Sequence, residues 1–153
     1  MANLEPLIQS IPVAPLKLAS LEGCRTLADQ VNNYLVSFRH ESPTNVGQAD
    51  SLQGYCADSY LLECECPRFG SGEGKGVLKE SVRGCDLFIM VDVTNYSLTY
   101  RVNGYENHMS PDNHYQDLKR IISAADGKAR RINVIMPFLY ESRQHKRGGR
   151  ESL

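Results

Sequence analysis

The chain has 153 residues, 41% of them hydrophobic and 23% charged, with no Trp and a formal net charge of −1. That length suits one domain, which at this size buries roughly 70% of the surface its unfolded chain exposes. The near-neutral charge predicts neither nucleic acid nor a membrane as partner, no apolar run reaches the roughly 18 residues of a membrane-spanning helix, and Glu5 precedes any Lys or Arg, unlike a secretory leader.

A cytoplasmic location is expected on those grounds. Five cysteines, Cys24, Cys56, Cys64, Cys66 and Cys85, are odd in number and are expected to stay reduced. No His or third Cys follows Cys64-x-Cys66 at zinc-finger spacing, so no metal site is expected and the thiols read as small buried hydrophobes.

Residues 1–15 read as an N-terminal extension and 16–153 as the domain. Ser20 is placed to cap a helix running to about Phe38, because Leu21, Cys24, Leu27, Ala28, Val31, Leu35 and Phe38 recur at helical spacing, and Arg39 and His40 suit the negative end of its dipole. From Glu41 to Ser59 polar residues, Pro and Gly dominate, which predicts a long surface loop. Tyr60–Cys66 alternates Leu62, Cys64 and Cys66 with Glu63 and Glu65, the two-residue period of a half-buried strand. Gly70, Gly72, Gly74 and Gly76 then interrupt the chain before a short strand over Val77–Glu80, so a β-hairpin arm is predicted near residues 60–82.

Asp86–Val93 is nearly continuous in apolar residues, as befits a central strand covered on both faces. Thr94–Met109 is rich in Tyr and Asn and reads as a loop. Ser110-Pro-Asp-Asn113 is a strong helix start, with a capping hydroxyl, proline at the first position and an acid in the first turn. Tyr115, Leu118, Ile121, Ile122 and Ala125 supply that helix with an apolar stripe and Gly127 with a stop. Arg131–Leu139 reads as another buried strand. Strand, helix, strand is a βαβ unit with a right-handed crossover, and an α/β fold with a mostly parallel central sheet follows. Ligands of such sheets bind off the carboxyl ends of the strands.

At that edge lies a cationic segment, Arg143-Gln-His-Lys-Arg-Gly-Gly-Arg150. Arg grips phosphate oxygens in a planar fork and Lys as a point charge, so the segment suits a polyphosphate; a solvated tail is the competing reading. The run Gly70-Ser-Gly-Glu-Gly-Lys-Gly76 is not a Walker loop, since Phe69 stands where its first glycine belongs and Gly76 where a magnesium-binding hydroxyl would be. His108 and His114 flank the second helix start and read as surface polar residues. No nucleophile-elbow arrangement is present.

Two separated strings resemble one family, the ribose-phosphate diphosphokinases or phosphoribosyl pyrophosphate synthetases. Arg68-Phe-Gly-Ser-Gly-Glu73 resembles the family's R-F-S-D-G-E and continues through Glu80-Ser-Val-Arg-Gly-Cys-Asp-Leu-Phe-Ile-Met90. Val134-Ile-Met-Pro-Phe-Leu-Tyr-Glu-Ser-Arg-Gln-His-Lys-Arg147 is similar to V-I-P-Y-F-x-Y-A-R-Q-D-(R/K)-(R/K). The likeness covers about Leu16 to Arg147. It implies the N-terminal, phosphoribosyltransferase-like half of an enzyme that transfers the diphosphoryl group of magnesium-bound ATP to the 1-hydroxyl of ribose 5-phosphate in nucleotide biosynthesis.

By the same resemblance Arg143 and Gln144 contact ATP, Arg143 and Lys146 are the catalytic cations, and His145 and Arg147 complete the ATP loop. Phe69 would pack on adenine and Glu73 contact the base, both presented by the hairpin of a neighbouring subunit, which implies a homo-oligomer. Ser71 and His145 each stand where the family has Asp, and 100–110 includes an insertion. The chain stops before the family's metal-binding His segment and its ribose-phosphate loop, so this chain alone is expected to be inactive. Besides the ATP-contacting half of an enzyme, two readings stay open: a non-catalytic relative that regulates assembly, and a nucleic-acid module whose binding would fall steeply with salt.

Overall fold

The structure, a computed structural model, describes residues 12–41, 53–143 and 146–150. The rest of the expected extension and of the 41–59 loop, together with Gln144 and His145, lies outside the described residues. In chain order the elements are β1 (Leu16–Ser20), a single 3₁₀ turn (Glu22–Cys24), α1 (Arg25–Glu41), β2 (Leu61–Leu62), β3 (Cys64–Glu65), β4 (Val77–Leu78), β5 (Asp86–Met90), β6 (Thr99–Val102), β7 (Tyr105–His108), α2 (Pro111–Ala124) and β8 (Arg131–Ile135).

Four of the strands form a parallel sheet in the order β2-β1-β5-β8. Successive side chains on a strand point to opposite faces, and here that alternation sorts the core into two layers. Ala19, Leu87 and Ile89 pack against Leu118 and Ile121 of α2 and Ala125 at its C-terminal cap. Leu18 and Met90 turn the other way, onto Cys24 of the 3₁₀ turn and Ala28 of α1. A helix therefore closes each face, which is why β5 can be almost wholly apolar.

Several sequence expectations need correction. β1 was not anticipated, yet it is an internal strand flanked by β2 and β5. Ser20 ends that strand and caps nothing; the 3₁₀ turn begins after Leu21, with no side-chain cap, and its hydroxyl instead donates to the Leu21 carbonyl. Along α1 Leu27 points to solvent, while the buried amide of Asn32 accepts from the Tyr60 backbone N–H at 2.8 Å and so ties the helix to the start of β2.

Tyr60–Cys66 is not one strand. It splits at Glu63, with β2 joining the central sheet and β3 pairing antiparallel with β4, so the hairpin arm is confined to residues 64–78. Thr94–Met109 is not simply a loop, because β6 and β7 form a two-stranded antiparallel ribbon within it. β8 is an edge strand, with Val134 42% and Ile135 37% exposed, while Ile132 packs against the core. His114, expected on the surface, is 2% exposed, with Nε2 at 2.8 Å from the Asn95 carbonyl. Among the described residues no helix is long and apolar enough to cross a membrane.

Candidate functional site

At the carboxyl edge of the sheet β5 continues as Val91-Asp-Val-Thr94, and the Val91 N–H donates to the Ile135 carbonyl at 3.0 Å, extending the β5–β8 ladder to the last residue of β8. Asp92 folds the following turn, its Oδ1 accepting from the Thr94 N–H at 2.8 Å and the Thr94 hydroxyl at 2.7 Å. Beyond β8 the chain must turn at Pro137, and Tyr140 fixes how it does so. Its ring stacks on Tyr115 of α2 at 4.2 Å and its hydroxyl donates to Asp112 in the first turn of that helix. That bond, with burial adding to it, pushes the Tyr140 phenol up to about 12.

Glu141 follows with φ 57°, a left-handed conformation uncommon outside glycine. Stacked ring and reversed backbone together swing the chain toward Arg143. Arg143 lines an open cleft of about 310 Å³ with Val93, Thr94, Pro111, Asp112 and Phe138. The N-terminus of α2 borders the same cleft, with Ser110 Oγ accepting from the Asn113 N–H at 3.2 Å. A helix N-terminus is a favourable place for a phosphate because its N–H groups and dipole are positive there. Lys146, Arg147 and Arg150 follow as exposed cations.

The second predicted motif sits on the hairpin tip. Backbone bonds from Phe69 N–H to the Glu73 carbonyl at 2.8 Å and from Gly72 N–H to the Phe69 carbonyl at 2.9 Å close it. Phe69 is 56% exposed. Glu73 is exposed as well, and its carboxylate accepts from the Ser71 hydroxyl at 2.8 Å. An Asp at 71 would set a second negative charge against Glu73; the serine binds it instead.

The tip's root is rigid. Asp117, 4% exposed, holds Arg68 at 2.8 Å and Arg120 at 2.6 Å, fastening the hairpin to the middle of α2. Phe69 and Glu73 are not among the residues lining the Arg143 cleft, so within one chain the two motifs do not share that cleft. Sequence reading found both motifs but missed the Tyr140–Asp112 pin. A tyrosine and an acid 28 residues apart give no local signal of contact.

Cys64 and Cys66 lie on the inner side of the hairpin, and burial pushes their thiols up to about 11 and about 12. Among the described residues no group of three His, Cys, Asp or Glu side chains is arranged to hold a metal ion.

A parallel sheet between helices, with a charged loop off its carboxyl edge and a projecting hairpin, defines a phosphoribosyltransferase-like α/β domain. The family model for the N-terminal domain of ribose phosphate pyrophosphokinase matches residues 16–153, and the chain belongs to that family. Eight chains of solved structures match, among them a phosphoribosylpyrophosphate synthetase from Mycobacterium smegmatis, with a TM-score of 0.59 and 25% identity over 90% of this chain. The chain spans 35% of the length of that protein. No curated protein matches it.

Proposed function

We propose that this chain is the ATP-contacting N-terminal half of a ribose-phosphate diphosphokinase. In the reaction proposed, the 1-hydroxyl oxygen of ribose 5-phosphate bonds to the β-phosphorus of ATP, the bond from that phosphorus to the α–β bridging oxygen breaks, and AMP leaves. Phosphoryl transfer asks a protein for positioning and charge stabilisation more than for covalent chemistry. Arg143 and Lys146 answer that need, Arg143 as a fork on phosphate oxygens and Lys146 as a point charge. Arg147, Gln144 and His145 belong to the same ATP loop by family likeness.

The observation that carries this reading is the placement of Arg143 beside the N-terminus of α2 at the carboxyl edge of a parallel sheet. Magnesium comes with the nucleotide in this reading and supplies charge neutralisation on its phosphates; Mg²⁺ is commonly held by substrate phosphates and a few carboxylates rather than by a protein cage. Phe69, exposed and outside the Arg143 cleft, stacks on the adenine of a neighbouring copy, with Glu73 contacting the base. A homo-oligomer follows from that arrangement; action in the cytoplasm, with neither nucleic acid nor membrane as partner, is proposed on the near-neutral charge.

Calorimetric titration of magnesium ATP at high protein concentration tests the site, with Arg143→Ala and Phe69→Ala each expected to weaken binding. Loss of one charged hydrogen-bonding partner is worth about 1.5–3 kcal/mol, so Arg143→Ala should weaken binding about 10-fold or more. Wild-type protein that gives no heat would defeat the reading. A second reading, a non-catalytic relative that binds nucleotide to regulate assembly, draws support from the Ser71–Glu73 bond, which engages an acid meant for the base. It predicts nucleotide binding with no AMP released by the whole protein in the presence of ribose 5-phosphate.

A further inference from the structure

We propose that the β6–β7 ribbon is a strut for the hairpin tip, with Tyr100 and Val102 holding residues 68–74 in the shape that presents Phe69 and Glu73. The mechanical part stands on contacts within this chain; only its consequence for nucleotide affinity rests on the function proposed above.

The hairpin has little of its own to hold it. β3 and β4 share two residue pairs, Cys64 with Leu78 and Glu65 with Val77, and a two-stranded hairpin alone is marginal in water. Past those pairs the tip keeps one bridge, Arg68 to Gly74, the bond from Lys75 N–H to the Pro67 carbonyl at 3.0 Å and the two backbone bonds already described. Its largest side chain, Phe69, faces solvent. Something outside the hairpin must therefore fix it.

Two neighbours do so. From below, Asp117 grips Arg68. From the side, the ribbon presents Tyr100 and Val102, which are two residues apart and so share one face of β6. Both are half-buried, whereas Thr99 and Arg101 between and beside them are exposed. The Tyr100 ring lies 5.0 Å from the Arg68 guanidinium, within the range of a cation–π contact. Val102 Cγ2 lies 3.6 Å from where a Cβ would stand on Gly72, whose φ of +90° suits only glycine. Arg68 is thus held by a carboxylate on one element and an aromatic face on another, and Val102 of the same ribbon stands over the side of Gly72 where a side chain would project.

The ribbon, itself two-stranded, is more fully paired than the hairpin and is anchored at its base. Four consecutive residue pairs run from Thr99↔His108 to Val102↔Tyr105. Its base is closed by the Met109 N–H on the Leu98 carbonyl at 2.8 Å, by His108 stacked on Tyr96 at 4.6 Å, and by burial of Met109. Residues that touch no nucleotide in the proposed arrangement would then set how well Phe69 and Glu73 are pre-organised, and so the affinity of a neighbouring subunit for adenine.

Backbone amide exchange by NMR on the ligand-free protein tests the strut. Tyr100→Leu, alone and with Val102→Ala, should speed exchange roughly three- to tenfold at Phe69, Gly72 and Lys75, the scale of a lost cation–π contact. Amides of β5 should be unchanged, and Tyr100→Phe should keep wild-type rates. Unchanged rates at the tip in Tyr100→Leu would overturn the proposal, as would equal acceleration in Tyr100→Phe, which keeps the ring. If the double variant also loses protection in β5, the single variant decides. Magnesium ATP titrations are run in parallel. Faster tip exchange with weakened binding supports the whole proposal, and faster exchange with unaltered affinity removes its functional part. Wild-type protein that binds no nucleotide defeats the proposed function while the exchange result still decides the strut.

Discussion

Tyr140 shows how much one side chain can settle. Its ring packs on α2, its hydroxyl meets Asp112, and the next residue reverses the backbone, so the direction of the cationic loop depends on it. Because the folded phenol holds its proton up to about 12 against about 10 in an unfolded chain, its stabilising contribution is complete below pH ~10 and is lost as pH rises through ~12. Tyr140→Phe keeps the stack and removes that titration. Alkaline unfolding followed by circular dichroism should therefore depend less steeply on pH between about 10 and 12 in the variant. The buried thiols give a second residue-scale test. With pKa values near 11 and 12, Cys64 and Cys66 carry about 0.1% thiolate or less at pH 8. Iodoacetamide labelling read by mass spectrometry should leave both unmodified in the native protein and reach them once it is unfolded in urea.

At the scale of elements, the hairpin and α2 form one unit through Asp117. Removing one partner of a buried ion pair leaves an uncompensated charge and costs about 3–5 kcal/mol. Asp117→Ala should lose stability on that scale in urea denaturation, while Arg68→Met with Asp117→Leu should recover most of it. The same elements show what sequence patterning can and cannot carry. β5 and α2 were legible because an unbroken apolar run and a capped apolar stripe have few other uses. β1, Leu-Lys-Leu-Ala-Ser, was not, because it is five residues long, has no β-branched side chain and carries a lysine whose ammonium reaches Glu80 at 2.8 Å. The ribbon was hidden for a related reason: Tyr, Asn and Gly are turn-rich composition, and its one informative feature is the Tyr100 and Val102 alternation over four residues.

At the scale of the whole molecule Phe69 and Glu73 do not line the Arg143 cleft, and one prediction follows for the proposed assembly. If Phe69 of one copy completes the Arg143 site of another, Phe69→Ala and Arg143→Ala proteins, each binding magnesium ATP weakly, should regain a fraction of sites of wild-type affinity when refolded together. With random association about a quarter of the sites would pair an intact Phe69 with an intact Arg143, and calorimetry would read that stoichiometry. No recovery on mixing would place both residues in the same chain's site or in none.

Sequence by itself determined the α/β class, the hairpin, the capped second helix and the family, because each rests on local spacing or on long strings of residues kept in order. It also marked Phe69, Glu73, Arg143 and Lys146, whose types suit bases and phosphates wherever they sit. Tertiary structure alone decided that β1 lies inside the sheet, that β8 is an exposed edge, that His114 is buried, that Asp117 pairs with Arg68 and that Tyr140 meets Asp112. Those outcomes depend on which face a distant element covers and which charge a distant carboxylate neutralises, and such contacts leave no period in the chain.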